Sequence, residues 1–192
     1  GGFCSVNMAA AGIYTMGGAF WEFGQPDWDR TKLFMIFGVA EDHDSNPIKI
    51  GLGKLKERGA KVIGVNPIRS GYNAIADEWV GITPGTDGLF ILSLIHELIR
   101  AGKVDLNYLS RYTNVGFIVN EEPNSPENGL FLRGETGKPQ VIDRATGKLA
   151  DYDAPGVMPD LASTHRHGGT SHRPVFQLMA ERYISDEYAP DA

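Results

Sequence analysis

The chain has 192 residues, a net charge of −6 and a single cysteine, Cys4. Its 42% hydrophobic and 22% charged residues are those of a globular protein with a real core, which excludes wholesale disorder. The acidic balance argues against a nucleic-acid partner, and the lone cysteine excludes an internal disulfide, an all-cysteine zinc site and an iron–sulfur cluster held by this chain alone.

No run of about 18 apolar residues is present, so neither a membrane span nor membrane contact is expected from this segment. The sequence opens on Gly1-Gly2, has no initiator Met and turns apolar at once. It therefore reads as a piece of something longer, whose address signals lie elsewhere; the cytoplasm is the default expectation. Two textures divide it. Residues 1–120 alternate apolar runs with helical patterns, whereas 121–192 are rich in Pro, Gly, Asp and Asn and read as a loop-rich extension.

Residues 8–16 are small and apolar and predict a helix or a buried turn, broken by Gly17 and Gly18. Residues 32–39, KLFMIFGV, form a continuous apolar run of strand length, the pattern of a strand covered on both faces. Residues 47–58 set Ile48, Ile50, Leu52 and Leu55 among lysines, an amphipathic helix with Gly59 just past its end. KVIGV at 61–65 is a second strand. A short helix over 72–79 and a third strand over 79–82 follow, stopped by Pro84-Gly85. A helix over 88–101, capped by Thr86 or Asp87, carries apolar residues round most of its surface and should be well buried. Asp105 starts another short helix through Tyr112. Beyond residue 120, segments 130–132 and 140–143 predict a hairpin around Gly134 and Gly137. RATG at 144–147 predicts a further turn, and 174–183 a terminal helix.

Strand and helix in alternation predict an α/β fold: a three-layer, Rossmann-like parallel sheet with an irregular C-terminal extension. Ligands of such sheets gather at the C-terminal edge of the strands, near a switch in strand order. Loops 38–46, 66–71 and 83–87 leave that edge. In the first, small residues allow close backbone approach, and Glu41, Asp42 and Asp44 oppose a bare anion unless they meet hydroxyl or N–H donors. His43 between those acids reads first as a solvated loop residue, with metal ligation as the alternative. Arg69 is either a phosphate-binding fork or a surface residue of a turn. Asp87 is either a helix cap or an acceptor for the edge of a base. Cys4 is either an inert core thiol or a metal-binding thiolate. His165, His167 and His172 lack the spacing of a helical pair and read as loop histidines. Gly51-Leu52-Gly53 has no third glycine at position 56 and lies mid-helix, and no phosphate-loop motif is present, which disfavours an ordinary nicotinamide or ATP enzyme.

The run KVIGVNPIRSGYNAIADEWVGITPGTDGLFILSLIHELI resembles the molybdopterin oxidoreductases of the dimethyl sulfoxide reductase type, including their formate dehydrogenase and nitrate reductase branches. In that group a strand ends in Asp-Pro or Asn-Pro, a helix with Ala-Asp follows, then a strand ending in Pro-Gly-Thr-Asp, then a long apolar helix. Residues 62–99 keep this order, and LFMIFGVAEDHDSNP resembles the strand and loop before it. The resemblance covers 1–120.

It implies molybdenum, or tungsten, held by two molybdopterin guanine dinucleotides, with Cys4 as protein ligand to the metal and catalytic residue. It implies that Gly38, Val39, Ala40 and Glu41 contact one dinucleotide. Asn66, Pro67, Ile68 and Arg69 would line its phosphate and ribose, and Gly85, Thr86 and Asp87 would hold the guanine. The implied reaction is two-electron redox on a small substrate such as formate or nitrate. Ser5 stands where the formate dehydrogenase branch has a histidine, which weighs against formate. Partners implied are the remaining domains of a parent catalytic subunit, with its 4Fe-4S cluster upstream of this segment, together with electron-transfer subunits. The alternative is a scaffold domain of the same fold without metal, as in respiratory complex I.

Overall fold

The computed structural model describes residues 2, 6–18, 25–38, 48–167 and 169–191. They belong to two compact units, Gly1–Pro84 and Gly85–Ala192.

In the first unit, helix α1 (Asn7–Met16) precedes strand β1 (Leu33–Phe37), helix α2 (Ile48–Glu57), strand β2 (Lys61–Val65), a short 3-10 turn at Gly71–Asn73 and strand β3 (Glu78–Val80). The three strands pair in parallel in the order β1-β2-β3, with Ile36 beside Gly64 and Gly64 beside Trp79. Leu52 and Leu55 of α2 form a core with Ile36, Ala60, Val62, Tyr72 and Ala76, and Trp28, Phe34 and Ile48 pack against it. The α2 helix stops where its sequence says it should. Ala60 N–H donates to Leu55 O at 2.9 Å and Gly59 N–H to Lys56 O at 3.0 Å, a closure that needs the left-handed backbone glycine adopts at 59 (φ +74°).

The α/β class and the parallel sheet are as expected; of the three-layer, Rossmann-like arrangement, the described residues show the sheet and one helical layer, α2. Strand order runs in sequence, so no switch point falls within the described sheet. Two local expectations change. The apolar run at 32–39 narrows to five paired residues, of which only Ile36 is buried. The helix expected over 72–79 contracts to the turn at Gly71–Asn73. Asp77 N–H donates to Val62 O at 2.9 Å, and this pairing pulls the following residues into β3.

The second unit holds helix α3 (Asp87–Arg100), helix α4 (Leu106–Tyr112), the hairpin of β4 (Gln140–Ile142) and β5 (Leu149–Asp151), the hairpin of β6 (His165–His167) and β7 (Thr170–His172), and helix α5 (Val175–Tyr183). Asp105 caps α4 by accepting from Tyr108 N. His96, buried on α3, joins α5 through Nδ1 to Tyr183 O at 3.0 Å. Val115, Ile118, Val119, Val141, Ile142 and Leu161 are buried in this unit. The turn around Gly134 and Gly137 forms, with Gly134 N–H to Lys138 O at 3.0 Å and Gln140 N–H to Leu132 O at 2.9 Å. His165 and His172 are opposed across the β6–β7 hairpin and are not loop residues; cross-strand pairing, which helical spacing rules cannot detect, brings them together. Arg173 then locks this hairpin to Glu121 and Glu181 with paired, charge-assisted hydrogen bonds.

The α3 helix departs most from expectation. Its apolar surface predicts burial, yet Leu89, Ile91, Leu94 and Leu98 are 60%, 43%, 37% and 48% exposed. Among the described residues nothing covers them. No described helix is long and apolar enough to cross a membrane.

The Gly51-Leu52-Gly53 segment gives a stability test. A Cβ at Gly51 would lie 2.6 Å from the Trp28 ring, whereas Gly53 faces open space. Gly53→Ala should stabilise the fold by about 0.5–1 kcal/mol through helix propensity. Gly51→Ala gains the same term but overpacks the indole by about 1–3 kcal/mol and should be a net loss. Urea unfolding of the two variants should move the midpoint in opposite directions.

Candidate functional site

Parallel pairing fixes which end of the sheet the loops leave. Just past β1, Gly38 N–H donates to Val65 O at 3.0 Å; just past β2, Asn66 N–H donates to Val80 O at 3.2 Å. The roots of loops 38–46 and 66–71 are thereby held side by side, and the chain leaves β3 for Thr83 and Pro84 from the same edge. Of the expected site residues, Cys4, Val39, Ala40 and Glu41 lie outside the described residues, as do Asp42, His43 and Asp44. Among the described residues no group of three or more His, Cys, Asp or Glu could hold a metal ion.

The second loop is built around Asn66, which is buried. Its Nδ2 donates to Ile68 O at 2.8 Å, and its own carbonyl accepts from Trp79 Nε1 at 3.0 Å. The side chain is thus engaged in shaping the turn, and the residues turned outward are Pro67, Ile68 and Arg69, all exposed. The Arg69 guanidinium makes no hydrogen bond or ion pair with the described residues. An unpaired planar fork on a shaped turn can bind an oxyanion in a bidentate way.

The third loop ends at the start of α3, in the second unit. Gly85 is exposed with φ +89°, and Thr86 occupies the N-cap position, its carbonyl accepting from Phe90 N at 3.0 Å. The Thr86 side chain makes no capping hydrogen bond to this helix. Asp87 is its first residue, half-buried, and its carboxylate has no hydrogen-bond partner among the described residues. Of the two readings of Asp87, capping is not what this carboxylate does. It presents two oxygens able to accept from a ligand.

One positioning residue had no role in the sequence reading beyond its place in an Ala-Asp pair. Asp77 Oδ2 accepts from Val62 N at 2.7 Å, and Oδ1 accepts from Lys56 Nζ at 3.1 Å. It ties the start of β3 to β2 and to the last turn of α2. The Val62 N–H, helped by the Lys56 ammonium, holds its carboxyl below the ordinary range.

No family model matches the chain. It is similar over all of its length to a sulfite dehydrogenase subunit of Allochromatium vinosum, at 45% identity over 205 aligned positions, which are 21% of that protein. It is 32% identical to dimethyl sulfoxide reductase DmsA of Haemophilus influenzae over 68% of the chain and 17% of that protein. It is 27% identical to the nitrate reductase alpha chain of Bacillus subtilis over 62% of the chain and 10% of that protein. The chain therefore spans about a fifth or less of these relatives.

Asp77 supplies the pH test. A depressed pKa means a stability contribution that is present above the ordinary carboxylate pKa and lost as pH falls through the lowered one. The wild type should lose stability on acidification below about pH 4. Asp77→Asn should be less stable at neutral pH, and the gap between the two should close in acid. Thermal unfolding of both proteins across that range measures it; a constant gap would remove Asp77 from this role.

Proposed function

Because the chain belongs with the molybdopterin oxidoreductases, matching one segment of their catalytic subunits, we propose that it forms part of the wall that holds a molybdopterin guanine dinucleotide in such an enzyme. The observation that carries this is the uncapped Asp87 carboxylate at the start of α3. The donor set fits the group. A carboxylate whose oxygens have no partner among the described residues matches the adjacent N–H donors on the edge of guanine and rejects adenine, and the Arg69 fork, likewise unpaired among the described residues, matches a phosphate.

Asp87, with Gly85 and Thr86, holds the guanine. Arg69, on the turn shaped by Asn66 and with Pro67 and Ile68 beside it, meets the phosphate and ribose. Gly38, Val39, Ala40 and Glu41 approach one dinucleotide, and Cys4 is the thiolate ligand to molybdenum or tungsten. When bound, the metal supplies two-electron redox chemistry. A 4Fe-4S cluster elsewhere in the parent, together with separate electron-transfer subunits, carries the electrons.

For the substrate, 45% identity across the whole chain to a sulfite dehydrogenase outweighs 27% over part of it to a nitrate reductase. A sulfur oxyanion is therefore proposed ahead of nitrate or formate. The remaining domains of the parent cover the exposed apolar face of α3.

Asp87→Ala in the full-length enzyme removes two charge-assisted acceptors, a weakening of about 2–4 kcal/mol. Guanine nucleotide released by acid from the purified variant, and its metal content, should fall well below the wild type. Full occupancy of both would sink the proposal. The 192-residue chain alone should hold no stoichiometric metal and show no turnover with sulfite.

A further inference from the structure

We propose that the second unit binds a small anion, a carboxylate or a sulfur or nitrogen oxyanion, in a pocket between the turn at 120–122, strand β4 and the β6–β7 hairpin. The pocket has a volume of about 230 Å³ and is lined by Asn120, Glu122, Arg133, Gln140, His165 and His172, with apolar walls beside them. None of these residues takes part in holding the nucleotide.

Two of these side chains are more than nine-tenths buried and keep one donor each in reserve. His172 is 3% exposed, and its Nδ1 accepts from Glu121 N at 3.1 Å. A nitrogen that accepts a backbone N–H carries no proton, so the neutral ring carries its proton on Nε2. Asn120 is 7% exposed, and its Oδ1 accepts from Glu122 N at 3.0 Å. That bond fixes the amide orientation and makes Nδ2 the free donor. Among the described residues neither His172 Nε2 nor Asn120 Nδ2 has a hydrogen-bond partner, and neither is sealed from solvent. In side chains this buried, the open space they reach is the pocket they line. Two consecutive backbone amides thus lock two donors toward one small volume.

The rest of the lining decides the ligand class. A His172 ring with its proton on Nε2 cannot ligate a cation there, and among the described residues no metal-binding cluster exists. Arg133 brings a positive charge, its Nη1 held by Gly137 O at 2.7 Å. Gln140 gives its amide nitrogen to Asp151 and lies on the wall with its oxygen unpaired. The His165 ring stacks near His172, with centroids 6.2 Å apart. Glu122 opposes an anion, but it is exposed, where solvent screens its charge. Arg133 is exposed as well, so its charge and that of Glu122 are screened alike, and the two fixed donors decide for an anion. Water alone could also satisfy the donors, since each molecule needs only about 30 Å³, and saturable binding separates the two cases.

The full chain, labelled with nitrogen-15, is titrated with sodium acetate and with sodium sulfate at constant ionic strength while the side-chain N–H signals of Asn120 and His172 are followed. Both signals should shift and saturate, and the better of the two salts tells a carboxylate from an oxyanion ligand. Asn120→Asp keeps the oxygen that accepts from Glu122 and replaces the donor, so binding should weaken about tenfold or more. Glu122→Gln should tighten binding about two- to fivefold, a gain that a structural role would not produce. If Asn120→Asp does not fold, Glu122→Gln decides alone. No saturation with either salt means the pocket holds water and overturns the proposal; saturation with the same affinity in Glu122→Gln as in the wild type places the anion away from this pocket and overturns it too.

Discussion

Two backbone hydrogen bonds just beyond the strand ends govern what this chain can present to a ligand. Gly38 N–H reaches Val65 O, and Asn66 N–H reaches Val80 O. Each continues the parallel ladder one residue past the last formal pair and roots two loops at one edge. A parallel sheet has no hairpins, so every strand must return through a crossover and every loop after a strand leaves from the same side. The chemistry of Arg69 on its turn therefore depends on backbone pairing that no side chain at the edge controls. Asn66 serves the same end, because its amide closes the turn that points Pro67, Ile68 and Arg69 outward.

Much of the first unit is legible in its sequence because its signals are local. The apolar run of β2, the lysine-flanked face of α2 and the glycine after it are all read within a few residues. What local patterns misjudge is coverage. The apolar surface of α3 shows that something must lie on it, but not whether that something is in the same stretch of chain. Among the described residues nothing covers Leu89 and Leu98. The contraction of the expected helix at 72–79 has another cause: Asp77 pairs through both backbone and carboxylate with Val62, fifteen residues away, and that non-local bond outcompetes helix propensity.

In the second unit the long-range component is larger still, and less was legible. The segment at 118–120 pairs with Gln140, Leu132, Leu130 and Arg173, partners drawn from ten to more than fifty positions away. Turn signals at Gly134, Gly137 and 144–147 mark where the chain reverses but not which segments meet. The histidines show the consequence. As a sequence pattern His165 and His172 have no helical relation, yet a hairpin puts them opposite each other, and a backbone amide from Glu121 sets the tautomer of one of them. Only a cross-strand register could have revealed that pair in advance.

Asp87 differs in kind from the other aspartates that shape this chain. Asp27 accepts from the amides of Asp29 and Arg30, Asp77 from Val62, Asp105 from Tyr108, Asp143 from Ala145, Thr146 and Met158, and Asp160 from Ala162. Each sits at a turn, a strand start or a helix start and meets a backbone N–H, a local one for Asp27, Asp105 and Asp160 and one fifteen residues away for Asp77 and for one bond of Asp143. Asp87 stands at the start of the longest described helix, where free N–H groups are most available and a carboxylate is favoured by the helix dipole, yet it caps nothing. Among the described residues the Asp87 carboxylate has no hydrogen-bond partner, so on a Pro-Gly-Thr-Asp loop after a parallel strand it is an acceptor that an external donor can fill.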